Sequence, residues 1–186
     1  MRHVRQTDSG GPLALPSLYR QLHRVRRPKL ISTFGLAVGT AAAVAAADQI
    51  TKRWASESFD EERLEVVPDL LWFTYLENPG SAFSMFQDAG VWLGVAAAGA
   101  VGVVGWALRT PRPGLEVIGL GLVMGGAVGN LVDRATRGEG LLDGKVVDWI
   151  QVPNFPVFNL ADTALTVGVG LVLLSALRQS IGASGS

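Results

Sequence analysis

The chain has 186 residues, 48% of them hydrophobic, and a mean hydropathy of +0.31, yet its 16 acidic and 16 basic residues cancel to a formal net charge of zero. The apolar residues are not spread at helix or strand period but gathered into blocks long enough to cross a ~30 Å hydrocarbon core, which marks an integral membrane protein. Cysteine is absent and the only histidines are His3 and His23, so disulfides, thiolate nucleophiles, His-based triads and zinc clusters are excluded from the body of the chain.

Residues 1–30 carry Arg2, Arg5, Arg20, Arg24, Arg26, Arg27 and Lys29 against a single acid, Asp8, among Gly, Pro, Ser and Gln. This composition predicts a disordered basic tail attracted to a membrane surface, with no sign of a nucleic-acid domain. From Ile31 to Ala47 the chain is uncharged, and a first span is expected at about 31–48. The basic run, apolar block and small residues of "AVAAAD" also fit a cleavable signal peptide. An n-region of that length would be unusual, and the later apolar blocks need a membrane in any case, so retention is the better reading.

Eight acids and only one base, Arg63, occupy residues 57–88. Within them "LEVVPDLLWFTYLENPGSAFSMF" sets β-branched and aromatic residues between Pro and Gly breaks, which predicts short strands and turns near the membrane surface. Further spans are expected at about 89–108, 115–132 and 155–177. The connector "RTPRPGLE" separates the second from the third, a polar segment at 134–154 follows, and 178–186 is a short tail. Small residues at Gly94, Ala98 and Gly102, and at Gly121, Gly125 and Gly129, predict closely packed helix backbones.

Four spans put both termini on one side. The basic tail and the Arg109/Arg112 connector share that side, which the positive-inside rule makes cytoplasmic. The predicted class is therefore an all-α integral membrane protein of four transmembrane helices, with a small extracytoplasmic sheet between the first two.

On this topology Asp48, Asn130, Asp133, Arg134, Asp148, Asn159 and Asp162 all fall at the outer boundary. Ionisable groups cost about 2.5–3.5 kcal/mol at the centre of a membrane helix, so one polar layer between helices suggests a built site. Plainer roles exist for several of these residues. Asp48 and Lys52 are spaced as an i,i+4 pair, Asp133 and Arg134 as a helix-end ion pair, and Asp162 stands where a helix cap would. Asp148, inside "KVVDWIQV", and Asp162, at the head of "ADTALTVGVGLVLL", have mostly apolar neighbours and are the costliest to bury without a task. Two carboxylates in a partly dry site divide into one ionised and one protonated, which suits water-activating peptide hydrolysis. Proton relay in a small transporter has the same requirement, although the uncharged middles of the spans count against a relay. Spacing alone also leaves Asp133 and Asp148 as alternatives for the second acid.

The segments "DQITK" (48–52), "NPGSAF" (78–83), "GGAVGNLVDR" (125–134), "VVD" (146–148) and "FNLAD" (158–162) resemble, in order and topology, those of the lipoprotein signal peptidases, or signal peptidase II. The resemblance covers about residues 31–177. It implies a four-helix aspartic endopeptidase of the bacterial inner membrane that removes the signal peptide from a diacylglyceryl-modified prolipoprotein, cutting just before the lipidated cysteine. By position, Asp148 and Asp162 match the catalytic dyad. Asp48, Lys52, Asn78, Gly80, Asn130, Asp133, Arg134, Asn159 and Ala161 match positions that shape the pocket and hold substrate or the inhibitor globomycin. The 57–88 segment would supply a sheet that cradles the substrate. No metal or cofactor is expected; the expected partners are the prolipoprotein and membrane lipid, and the expected state is a monomer. Two departures stand out. Pro79 and Ser81 replace residues usual in the family's Asn-x-Gly-Ala-Ala-Phe pattern, and the stretch between Asp133 and Asp148 is longer than usual.

Overall fold

The structure, a computed structural model, describes residues 30–59, 62–80 and 90–184. The basic tail, Ser81, Ala82 and Phe83 lie outside the described residues. Among the described residues four helices are long and apolar enough to cross a membrane: α1 (Leu30–Ser58), α2 (Gly90–Ala107), α3 (Gly114–Thr136) and α4 (Leu160–Ser184). Three short strands, β1 (Leu64–Val67), β2 (Leu71–Asn78) and β3 (Val146–Gln151), form one antiparallel sheet in that order.

The first helix runs well past Asp48. Its 29 residues span about 43 Å at ~1.5 Å per residue, more than a ~30 Å core requires. No Gly or Pro interrupts "DQITKRWASES", and Asp48, Lys52 and Ala55 form one fully buried stripe at helical spacing.

Helix α3 is the centre of the bundle and packs against α1, α2 and α4. Its glycines make the close approach possible. A Cβ on Gly125 would lie 2.7 Å from the Ala41 carbonyl of α1, and one on Gly121 would lie 2.8 Å from that of Ala37. The stripe on α2 behaves differently. Gly94 meets Leu142, but Gly102 has nothing within 4 Å and Ala98 is exposed, so the expected close packing does not extend along this helix. Helix α2 packs on α3 alone among the helices and buries only Gly90, Gly94 and Val104, which leaves a gap between α2 and the bundle.

The hairpin of β1 and β2 turns at Asp69, whose φ of 57° is stabilised by its N–H donating to Glu65 Oε1 at 2.9 Å. The third strand comes from the segment between α3 and α4 and pairs with β2 from Trp72↔Gln151 to Asn78↔Val146, with an irregularity between Phe73 and Leu76. Trp149 packs edge-on against Trp54 at 5.6 Å and Phe73 at 5.1 Å, fastening the sheet to the end of α1. After β3 the chain folds back. Phe158 exchanges backbone hydrogen bonds with Ile150, which sets the start of α4 beside the strand.

Candidate active site

Helix α4 begins with a reciprocal cap. Asn159 Oδ1 accepts from the Asp162 N–H at 3.0 Å, and Asp162 Oδ2 accepts from the Asn159 N–H at 3.2 Å. This is a capping box in which Asn takes the N-cap and Asp the third helical position. The Asp162 carboxylate therefore stays near the helix N-terminus, where the positive end of the dipole favours negative charge. Its other oxygen, Oδ1, accepts from Asn130 Nδ2 of α3 at 2.8 Å.

Asp148 projects from the middle of β3 and is 2% exposed. Asn159 Nδ2 donates to its Oδ1 at 2.7 Å and Asn78 Nδ2 of β2 donates to its Oδ2 at 2.9 Å. Asn159 thus touches both acids. Asn78 is held in turn by Gly80, whose N–H donates to Asn78 Oδ1 at 2.9 Å; Gly80 has φ 122°, a backbone conformation that disfavours any side chain. Burial, followed by the neighbouring Asp162 charge, pushes the Asp148 carboxyl up to about 6 against the opposing hydrogen bonds from Asn78 and Asn159.

Behind these groups stands a buried ionic pillar. Lys52 Nζ lies 2.8 Å from Asp48 Oδ2 and 2.8 Å from Asp133 Oδ2, with all three side chains fully buried, and donates to Asn130 Oδ1 at 2.8 Å. Each acid also takes a backbone donor from another element. Ala161 N–H, one of the unpaired donors at the start of α4, reaches Asp48 Oδ1 at 2.9 Å, and Val147 N–H reaches Asp133 Oδ2 at 3.2 Å. The pillar therefore ties α1, α3, β3 and α4 together. Gly129 leaves the room, since a Cβ there would lie 2.5 Å from Asp48 Oδ2.

The expected Asp133–Arg134 pairing is not what forms. Asp133 pairs with Lys52 and with Arg137 Nε at 3.2 Å, because successive helical residues point in different directions whereas residues three or four apart, such as Arg137, share a face. Arg134 donates from Nη1 to the Gly144 carbonyl at 3.2 Å and faces the cavity instead.

That cavity, of about 400 Å³, occupies the gap beside α2. Asn78, Asn130, Arg134, Asp148 and Asp162 form its polar wall, while Leu93, Ala96, Ala97, Ala100, Ala127 and Leu165 form the apolar one. Gly80 also lines it; Asp48, Lys52, Asp133, Asn159 and Ala161 stand behind. Among the described residues no group of three or more His, Cys, Asp or Glu side chains is arranged to hold a metal ion.

Sequence reasoning missed Gln49. Its Nε2 donates to the Gly129 carbonyl at 3.0 Å and to Asp133 Oδ1 at 3.1 Å, bracing the pillar from α1. Its place between Asp48 and Lys52 was the only available signal. Ala96, Ala97 and Ala100 of α2, which the spacing of Gly94, Ala98 and Gly102 did not single out, line the cavity.

The chain is similar to proteins of one family. A family model described as "Signal peptidase (SPase) II" matches residues 40–178. The lipoprotein signal peptidase of Shouchella clausii is 40% identical over 140 residues, covering 73% of this chain and 89% of that protein. That of Acaryochloris marina is 35% identical over 154 residues, covering 76% and 88%. Two solved structures of a bacterial membrane enzyme, obtained by the in meso method at 2.3 Å and 1.9 Å resolution, match at TM-scores of 0.69 and 0.68 with 26% identity. They cover 78% and 77% of this chain and 90% and 94% of their own. With four apolar helices, one sheet and a carboxylate-lined cavity in the same chain, these matches make it a multi-pass bacterial membrane peptidase belonging to the signal peptidase II family.

Proposed function

We propose that the protein is an aspartic endopeptidase that removes signal peptides from diacylglyceryl-modified prolipoproteins, cutting just before the lipidated cysteine. The observation that carries this reading is that Asp148 and Asp162 line one cavity and share Asn159 as a hydrogen-bond partner. Asp133, the other candidate acid, is fully buried behind Lys52 and Arg137 and has no face on the cavity.

Two carboxylates in one dry site cannot both ionise easily, so the pair holds one proton. We assign that proton to Asp148, which is the more deeply buried of the two and whose carboxyl pKa is raised by burial. Asp162 then takes a proton from the attacking water, while Asp148 donates a hydrogen bond to the scissile carbonyl and afterwards passes a proton to the leaving nitrogen. Asn78, Asn130 and Asn159 orient the two acids; Lys52, itself paired with Asp133, holds Asn130, and Asp48 holds the start of α4. Arg134 offers donors to substrate carbonyls, or to those of globomycin. Gly80 and Ala161 contribute through their backbone N–H groups.

The basic tail and the Arg109/Arg112 connector support a cytoplasmic placement of both termini in the inner membrane. The sheet and dyad then stand at the extracytoplasmic face, where a lipid-anchored precursor presents its cleavage site. One chain supplies both acids, so a monomer suffices. Purified protein in detergent should cut a diacylglyceryl-modified precursor and release a product with the lipidated cysteine at its N-terminus, as read by mass spectrometry. Cleavage at another bond, or equal cleavage of the unlipidated precursor, contradicts the reading.

A further inference from the structure

Asp162 lines a second cavity, of about 280 Å³, framed by Phe155, Phe158, Thr163, Thr166 and Val167. Among the described residues the two cavities share no other, and they use different faces of α4: Leu165 turns toward the main cavity, Thr163, Thr166 and Val167 toward the second. No residue of α2 or α3 lines the second cavity, and its rim residues Phe155 and Val167 are 62% and 48% exposed, so it opens away from the bundle.

Its chemistry differs from that of the main cavity. Both threonine hydroxyls are committed to the helix, donating to the Asn159 carbonyl at 3.1 Å and the Asp162 carbonyl at 2.9 Å. The phenyl rings of Phe155 and Phe158 meet edge to face at 5.7 Å. Apart from Asp162, this wall offers hydrocarbon, whereas the main cavity offers Asn78, Asn130 and Arg134, groups suited to peptide carbonyls and N–H groups.

We propose that the second cavity takes an acyl chain of the substrate's diacylglyceryl group while the signal-peptide side of the scissile bond lies in the main cavity. The proposal rests on the peptidase reading above. A precursor cut just before its lipidated cysteine has peptide on one side of the bond and hydrocarbon on the other. Asp162, on the border of both cavities, is where two such halves diverge. The volume, slightly below the usual range for small-molecule sites, suits one chain segment.

The test compares two precursors of identical sequence, one carrying dipalmitoylglyceryl and one dibutyrylglyceryl, cut by the full-length protein in the same micelles. Wild type should prefer the long-chain substrate, and Thr166→Trp, which fills the cavity, should reduce the ratio of kcat/KM values at least tenfold; differences in micelle partitioning cancel in that comparison. In parallel, a diazirine midway along the acyl chain of substrate bound to Asp148→Asn should label residues 155–167. Equal cleavage of both substrates by wild type, an unchanged ratio in Thr166→Trp, or labelling of 96–100 instead would overturn the proposal and leave the peptidase reading standing. Labelling of 155–167 by diazirine-bearing phosphatidylcholine that added substrate does not displace would overturn it too, assigning the cavity to bulk lipid. Failure of wild type to cut either substrate would remove the peptidase reading and this proposal together.

Discussion

Lys52 fixes the orientation of Asn130. An ammonium group can only donate, so the amide oxygen must turn toward Lys52 Nζ, 2.8 Å away, which leaves Nδ2 aimed at Asp162 Oδ1, also 2.8 Å away. A buried charge on α1 thereby decides what a carboxylate on α4 receives. The same ammonium holds Asp48 and Asp133, so positioning and folding depend on one side chain.

Lys52→Met should lower the thermal midpoint in detergent sharply. Leaving buried carboxylates without their partner costs about 3–5 kcal/mol. Neutralising them as well, in Asp48→Asn, Lys52→Met, Asp133→Asn, should recover much of the stability, because neutral replacements of buried ion clusters are often tolerated. Cleavage by the folded triple variant should stay well below wild type, since the Asn130 amide is no longer locked. Wild-type turnover in that variant would show that the lock does not matter.

Two glycine substitutions should have opposite effects. Gly129→Ala drives a Cβ into Asp48 Oδ2 and should destabilise by about 1–3 kcal/mol, the usual cost of overpacking. Gly102→Ala, with open space around it, should be neutral or stabilise α2 by up to about 1 kcal/mol through helix propensity. Denaturation midpoints of the two variants, measured side by side, check the contrast.

The pH profile should respond to Asn78. Its hydrogen bond favours the ionised form of Asp148, so Asn78→Ala raises the carboxyl further above its position at about 6. The proton needed for catalysis is then retained to higher pH, and the alkaline limb of kcat/KM should move upward. Removing a positioning contact should also lower the plateau. A limb that stays in place or moves to lower pH contradicts the assignment of the proton to Asp148.

The four spans are legible because hydrocarbon demands long uncharged blocks, and the polar layer is legible because its residues interrupt those blocks. The third strand is less so. "VVDWIQ" is too short for its period to speak, and its partner β2 lies in a segment nearly 70 residues away. Asp48 and Lys52 show their pairing by i,i+4 spacing; Asp133 joins them only once α1 and α3 pack. The capping role of Asn159 was hidden by the more obvious cap, Asp162, and only the backbone geometry separates the two as halves of one box. The continuation of the first helix from Asp48 to Ser58 was not legible, because no breaker in the sequence marks where it stops.

The central claim is that Asp148 and Asp162 form the reacting pair and Asp133 does not. Cleavage of a diacylglyceryl-modified precursor should be measured for wild type, Asp148→Asn, Asp162→Asn and Asp133→Asn, with thermal midpoints recorded on the same preparations. The account predicts folded Asp148→Asn and Asp162→Asn proteins whose kcat falls on the order of 10⁴-fold or more, as when one member of a catalytic unit is removed. Asp133→Asn should instead lose stability while its folded fraction still cuts. An Asp148→Asn protein that turns over near the wild-type rate, or a stable and inactive Asp133→Asn protein, would contradict it.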